Sequence, residues 1–267
     1  MKKIPIALLA LSFAALSCTS TKTNSSPGTA DISKPSTTTI KNNPFYEMRV
    51  YYAAPGKLDD LNARFRNNTM RIFAKHNMVN LGYWVPVDNP ENKLIYMLSF
   101  PSKAARDLSW KAFGADPEWQ AVAKASEANG KLVAKVESTF MENTDYSPAF
   151  NTTMKNASLV ELRTYTASPG NIDNLHDRFR NYTLGLFKKH GMTNIAYFKP
   201  TDEKNKDVLV YLIAHNNKSA AEASWKAFRA DEDWVKAKAA SEVKGGGSLT
   251  TKVESVYMAA TDYSPIK

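Results

Sequence analysis

Residues 55–86, PGKLDDLNARFRNNTMRIFAKHNMVNLGYWVP, recur without a gap as residues 169–200, PGNIDNLHDRFRNYTLGLFKKHGMTNIAYFKP, with 16 of 32 positions identical. Further along the chain, Trp110-Lys-Ala-Phe113-x-Ala-Asp116-x-x-Trp119 returns as Trp225-Lys-Ala-Phe228-x-Ala-Asp231-x-x-Trp234. Lys135-Val-Glu-Ser138 and Thr144-Asp-Tyr-Ser-Pro148 return as Lys252-Val-Glu-Ser255 and Thr261-Asp-Tyr-Ser-Pro265. The offset grows from 114 to 115 to 117, so the copies differ in length only around 87–93 and 128–132, where loops are expected. A period of this size is that of a domain and not of a solenoid. The 267 residues therefore read as two units, 45–148 and 159–267, joined by a linker at 149–158.

Within one unit the order of elements follows from periodicity. Glu47–Ala53 and Glu161–Thr166 alternate polar and apolar, as strands do, and Pro55-Gly56 and Pro169-Gly170 end them. Leu58, Leu61, Phe65, Thr69, Ile72, Phe73 and His76 fall at spacings of three and four, predicting an amphipathic helix of about five turns. Ile172 to His190 repeat the stripe, and Asn77 and Gly191 supply the left-handed residue that stops each helix. Two short β-rich runs follow, then a helix carrying the Trp/Phe motif, in which Asp116 and Asp231 are placed to cap a second helical segment. A last strand closes the unit. The order β-α-β-β-α-β is that of a ferredoxin-like plait. Such a unit leaves one sheet face bare, so the expected fold is α+β, two tandem plaits packed sheet to sheet as an intrachain dimeric α/β barrel, a pseudo-dimer within one chain.

Candidate chemistry is sought among residues present in both copies. Glu47, Arg49 and Tyr51 share one strand face, as do Glu161, Arg163 and Tyr165. The apolar face is assigned to the helices, which sends this polar set into the barrel interior. There it either holds an anionic ligand or ties the halves together by ion pairs, the second being the simpler reading. His76 and His190 end their helices, where a packed, capping histidine is expected; the other reading is a proton carrier or haem ligand. Tyr83 and Tyr197 complete the candidates, with the duplicated tryptophans as core or as walls for a flat ligand. His176, His215 and the Gly245–Gly247 run occur once and are set aside. No P-loop, nucleophile elbow or dinucleotide fingerprint occurs, no metal-ligand spacing recurs, and no cofactor is expected.

The first residues read differently. Met1-Lys2-Lys3, the short apolar run Ile4–Leu16 and Ala15-Leu16-Ser17-Cys18 form a secretory signal, 1–17, and resemble a bacterial lipoprotein signal in which the cysteine is acylated. Cys18 is the single cysteine, and residues 18–44, rich in Ser, Thr, Lys, Asn and Pro, read as a flexible tether. The expectation is export across the inner membrane and a lipid anchor facing the periplasm or the cell surface. The formal charge of +9 falls to +5 once the two signal lysines and a tether excess of two are removed, and the remaining basic residues are scattered among acids, which argues against a nucleic-acid partner.

Glu-x-Arg-x-Tyr, Pro-Gly, Phe-x-Lys-His-Asn/Gly, Tyr-Trp/Phe and Trp-x-x-Phe-x-x-Asp-x-x-Trp, in that order in both copies, resemble the NIPSNAP family. The resemblance implies the dimeric α/β-barrel superfamily and roles in protein interaction, with no catalytic set to carry over. Related barrels include haem-degrading and cofactor-free monooxygenases. Three expectations stand: a binder of a small molecule or protein partner, without a catalytic constellation; an oxygenase acting on haem, a quinone or an aromatic; or a structural surface protein.

Overall fold

A computed structural model describes residues 44–155 and 157–267. The expected signal, the expected tether apart from Pro44, and Cys18 lie outside the described residues. Repeat 1 runs β1 (Phe45–Ala53), α1 (Leu58–Arg64), a π-helical turn (Phe65–Thr69), α2 (Met70–Lys75), β2 (Val79–Pro86), β3 (Lys93–Phe100), α3 (Lys103–Ala115), α4 (Pro117–Ser126) and β4 (Val133–Asn143). Repeat 2 runs β5 (Leu159–Ala167), α5 (Ile172–Arg178), a π-helical turn (Phe179–Thr183), α6 (Leu184–Lys189), β6 (Thr193–Pro200), β7 (Val208–His215), α7 (Lys218–Ala230), α8 (Glu232–Lys244) and β8 (Thr250–Ala260). Among the described residues no helix is long and apolar enough to cross a membrane.

Local chemistry sets the boundaries. Asn77 and Gly191 have φ of 59° and 77° and end the first helix of each repeat. Asp116 and Asp231 cap α4 and α8, each Oδ1 accepting a backbone N–H at 2.9 Å. Ser102 caps α3. In repeat 2 the cap is Asn217.

The fold is α+β. Eight antiparallel strands close into a barrel in the order β1-β3-β2-β8-β5-β7-β6-β4, each repeat contributing four neighbouring strands. The halves join through two three-pair ladders, Trp84–Pro86 of β2 on Met258–Ala260 of β8 and Met141–Asn143 of β4 on Phe198–Pro200 of β6.

The facing of the strands corrects the sequence reading. Tyr46, Met48, Trp84, Ile95, Met97 and Met141 pack in one cluster with Val160, Leu162, Phe198, Val210, Leu212 and Met258, so the apolar set of each β1-type strand fills the barrel interior. Glu47, Arg49 and Tyr51, with Glu161, Arg163 and Tyr165, face the helices. Both faces of β1 and β5 are buried or half-buried, one by the other repeat and one by the helices, so apolar alternation does not say which is which. A carboxylate is tolerated on the helix side because a helix can bring indole N–H and guanidinium donors to it, whereas the interior is mainly apolar.

The duplicated Thr-Asp-Tyr-Ser-Pro motif locks the halves together. After β4, Thr144 N–H donates to Tyr197 O and Tyr197 N–H to Ser147 Oγ, both at 3.0 Å, while Arg180 grips Asp145 through two bonds of 2.7 and 2.8 Å. After β8, Thr261 N–H donates to Tyr83 O and Tyr83 N–H to Ser264 Oγ, again at 3.0 Å, and Arg66 grips Asp262 through two bonds of 2.6 Å. Each tail thus docks on the other repeat. His176, set aside as unduplicated, has Nδ1 2.7 Å from Tyr146 Oη, where the first helix of repeat 1 offers Asn62 Oδ1 to Tyr263 Oη at 2.6 Å.

Candidate functional site

Glu47 is fully buried, and its oxygens accept from Arg49 Nη1 at 2.6 Å, Arg106 Nη2 and Nε at 2.8 Å, and Trp110 Nε1 at 2.7 Å. Glu161 is equally buried but is satisfied differently, by Arg163 Nη1 at 2.5 Å, Ser255 Oγ at 2.6 Å, Trp225 Nε1 at 2.8 Å and His215 Nε2 at 2.9 Å. Burial pushes both carboxyls up. Donors outweigh it: Arg106, Arg49 and Trp110 hold Glu47 below its ordinary range, and His215, Arg163, Ser255 and Trp225 hold Glu161 at about 2. Arg49 and Arg163 lie over the Trp110 and Trp225 rings at 4.4 and 4.3 Å. Here every acceptor is occupied. The triplets weld β1 to α3 and β5 to α7, which is the ion-pair alternative realised within a repeat and not across the barrel.

His76 and His190 place Nε2 2.6 Å from Asp116 and Asp231, the residues that cap the next helical segments. Lys75 and Lys189 reach the same oxygens at 2.8 and 2.7 Å. Lys75 and then His76 hold the Asp116 carboxyl well below its ordinary value, and Lys189 and His190 do the same to Asp231. These histidines pin one helix end to the next helix start. Among the described residues no three His, Cys, Asp or Glu side chains group as metal ligands.

Tyr83 and Tyr197 are buried and donate to Asn80 and Asn194; their rings stack on Tyr96 and Tyr211 at 5.3 and 5.2 Å. The hydroxyls of Tyr96 and Tyr211 are buried without a hydrogen-bond partner.

The open space lies elsewhere. Each π-helical turn stands between a buried arginine and a buried threonine whose hydroxyl takes up the arginine carbonyl, Thr69 to Arg64 O at 3.2 Å and Thr183 to Arg178 O at 3.1 Å. Arg64 and Arg178 stack over Trp119 and Trp234, both at 5.3 Å, and keep Nε without a partner. Beside Arg178, between the helix layer and the sheet of repeat 2, a pocket of about 350 Å³ is lined by Tyr165, Phe179, Phe187, Phe228, Trp234 and Val253, with Lys238 and Glu242 among its polar residues. Larger depressions of about 520, 540 and 430 Å³ run along α6–α8, beside the Arg180 clamp and beside Arg64, where Lys189 pairs with Asp231, Arg180 with Asp145 and Arg64 with Glu127.

Of the ten sequence candidates, Tyr165 lines this pocket, and Arg163 supports it by donating to Tyr165 Oη at 3.0 Å. Sequence reasoning missed Arg64, Arg178, Arg106 and His215. Arg64 and Arg178 carried a signal, the identical Arg-Phe-Arg-Asn in both copies. Arg106 and His215 carried none, since each occurs in one repeat.

The NIPSNAP family model matches residues 46–148 and again 160–265. Protein NipSnap homolog 3B of Mus musculus is 31% identical over 80 residues, which are 30% of this chain and 32% of that protein, so the match spans about a third of the relative's length. A candidate monooxygenase from Lactobacillus acidophilus NCFM superposes with a TM-score of 0.53 at 10% identity, over 82% of this chain and 94% of its own. An anthrone oxidase-like protein does so with a TM-score of 0.54 at 10% identity, over 85% and 95%. At such identities the likeness concerns the barrel fold. With the family model matched across both repeats, the chain belongs to the NIPSNAP family.

Proposed function

We propose that this protein binds a small molecule in the pocket of repeat 2, and that a lipid on Cys18 holds it to a bacterial membrane, facing the periplasm or the cell surface. The observation that carries the binding reading is the pocket itself: about 350 Å³ beside a buried arginine, lined by aromatic rings together with Thr183, Lys238, Glu242, Ser248 and Thr250. The apolar run before Cys18 and the polar segment after it support the anchor. A thermal-shift and native-mass screen of the mature protein is expected to find a ligand that stabilises it, and Val253→Trp, which fills the pocket mouth, is expected to abolish that shift. A screen in which every hit survives Val253→Trp sinks the pocket reading. For the anchor, Cys18→Ala is expected to move the protein from the membrane to the soluble fraction, and persistence in the membrane refutes it. A second reading, oxidation of an aromatic in the same pocket, is favoured by the aromatic lining and by the printed names of the two barrel neighbours. Oxygen uptake with an anthrone that is lost in Val253→Trp would establish it.

A further inference from the structure

The two repeats treat the same buried arginine differently. In repeat 1, Arg64 Nη1 donates to Glu127 Oε1 at 3.3 Å and to Ser126 Oγ at 3.4 Å. In repeat 2 the aligned Arg178 keeps the serine, Ser241 Oγ at 3.4 Å, but lacks the carboxylate. The aligned acid, Glu242, is present and has turned away to Lys238 Nζ at 2.7 Å. Repeat 1 has Ala123 where repeat 2 has Lys238, so nothing there draws Glu127 aside. Arg178 is 6% exposed, and among the described residues no carboxylate is ion-paired with it. A guanidinium buried without a counter-ion is costly, and the missing anion would sit next to the pocket.

We propose that repeat 2 takes a compact aromatic carboxylate, its carboxylate on Arg178 in the place that Glu127 fills in repeat 1 and its ring against Trp234 and Phe228. The inference rests on the reading above that this pocket is the ligand site. A carboxylate is chosen because repeat 1 completes the same arginine with one, and guanidinium and carboxylate match in planar geometry. One charge suffices, since Lys238 is already neutralised by Glu242. A ring, and not a long acyl chain, suits a pocket of about 350 Å³, near the lower end of the ~300–1,000 Å³ typical of ligand sites. Burial draws the Arg178 guanidinium below its ordinary range, against the opposing pull of Glu242, Tyr165 and Tyr211, and a bound carboxylate would reverse that.

The test is titration of the mature protein with 1-naphthoate and with its neutral analogue 1-naphthamide, followed by calorimetry and tryptophan fluorescence. The acid is expected to bind at least ~10-fold more tightly than the amide, the factor that one charge-assisted contact of about 1.4 kcal/mol supplies. Arg178→Met is expected to erase that preference. Lys238→Ala, at an exposed position, releases Glu242 to close on Arg178 and is expected to weaken the acid by a similar factor. It keeps the proposal testable should Arg178→Met fail to fold. If acid and amide bind equally and neither variant changes their ratio, the ligand class is wrong while the pocket reading stands. If neither compound binds the wild type, the aromatic-carboxylate proposal is overturned, and the pocket reading is decided by the Val253→Trp screen.

Discussion

Replacing Glu161 by glutamine tests whether the buried carboxylate is the weld between sheet and helices in repeat 2. Four donors converge on its two oxygens, from Arg163, Ser255, His215 and Trp225. An amide keeps one acceptor oxygen and turns the other into a donor, so two of the four lose their partner around a fully buried group. The magnitude can be worked from the carboxyl. Its pKa is about 2 in the fold against an ordinary 4.5, a difference of about 2.5 units. At about 1.4 kcal/mol per pKa unit the charged form contributes roughly 3–4 kcal/mol. For a domain of this size that is a fall in Tm of roughly 6–16 °C.

The sign with pH follows from the direction of the shift. A carboxyl whose folded pKa is depressed contributes stability that is complete above the unfolded value and is lost as pH falls through the folded one. The difference between wild type and Glu161→Gln should therefore be full at neutral pH, begin to close near pH 4.5, and have mostly vanished near pH 2. Calorimetric melting of both proteins from pH 2 to pH 7 measures it. A variant that melts within ~2 °C of wild type at pH 7, less than ~1 kcal/mol, or a gap that stays constant down to pH 2, would refute the reasoning.

Ser264→Ala leaves the buried Tyr83 N–H without its acceptor and is expected to cost about 1–3 kcal/mol, read from the urea midpoint, with hydrogen-exchange protection of the Tyr83 amide reduced. Gly82→Ala would put a Cβ 2.2 Å from the fully buried Trp84 ring and is expected to cost about 1–3 kcal/mol, whereas Gly82→Ala with Trp84→Phe copies Ala196 and Phe198 of repeat 2 and should recover much of the loss in a double-mutant cycle. Asp116→Ala removes both the cap of α4 and the partner of His76, so Glu118 amide protection and Tm should fall, and Asp116→Asn, which can still cap, should fall less.

The elements themselves were legible because their signals are local. A stripe at spacings of three and four, an Asp before Pro117 and a residue able to adopt positive φ at Asn77 and Gly191 act within a few residues of where they stand. Facing was not legible, because Met48 and Glu47 are both buried, one against the opposite sheet and one beneath Trp110. Pairing was not legible either. Asp116 reads as a cap, but its second partner, His76, lies 40 residues away and is chosen by how α2 meets α4. The Thr-Asp-Tyr-Ser-Pro motif shows the same limit: its duplication is plain, yet its purpose, each tail docking on the other repeat, exists only once the barrel closes.

Duplication sorts residues by a criterion that favours folding over function. A side chain kept in both copies has satisfied the same packing demand twice, and Glu47 with Glu161, His76 with His190 and Tyr83 with Tyr197 all turn out to be fully engaged in such demands. Where one chain carries two copies, a single functional site needs only one of them, and the other is free to keep the closed form. Differences between the repeats then become the informative signal, provided they sit beside a shared, costly group. Not every difference qualifies. His215 donates in repeat 2 where Arg106 donates in repeat 1, with Ser255, whose counterpart Ser138 is kept in repeat 1, adding a further bond, on a carboxylate that is satisfied either way. Lys238 in place of Ala123 is of another kind, because it pairs with Glu242 and leaves a buried arginine beside a pocket without an ion-paired carboxylate. A structural role alone does not explain why Lys238 holds the acid away, since Lys238→Ala would let it return to Arg178; the ligand site proposed for repeat 2 does.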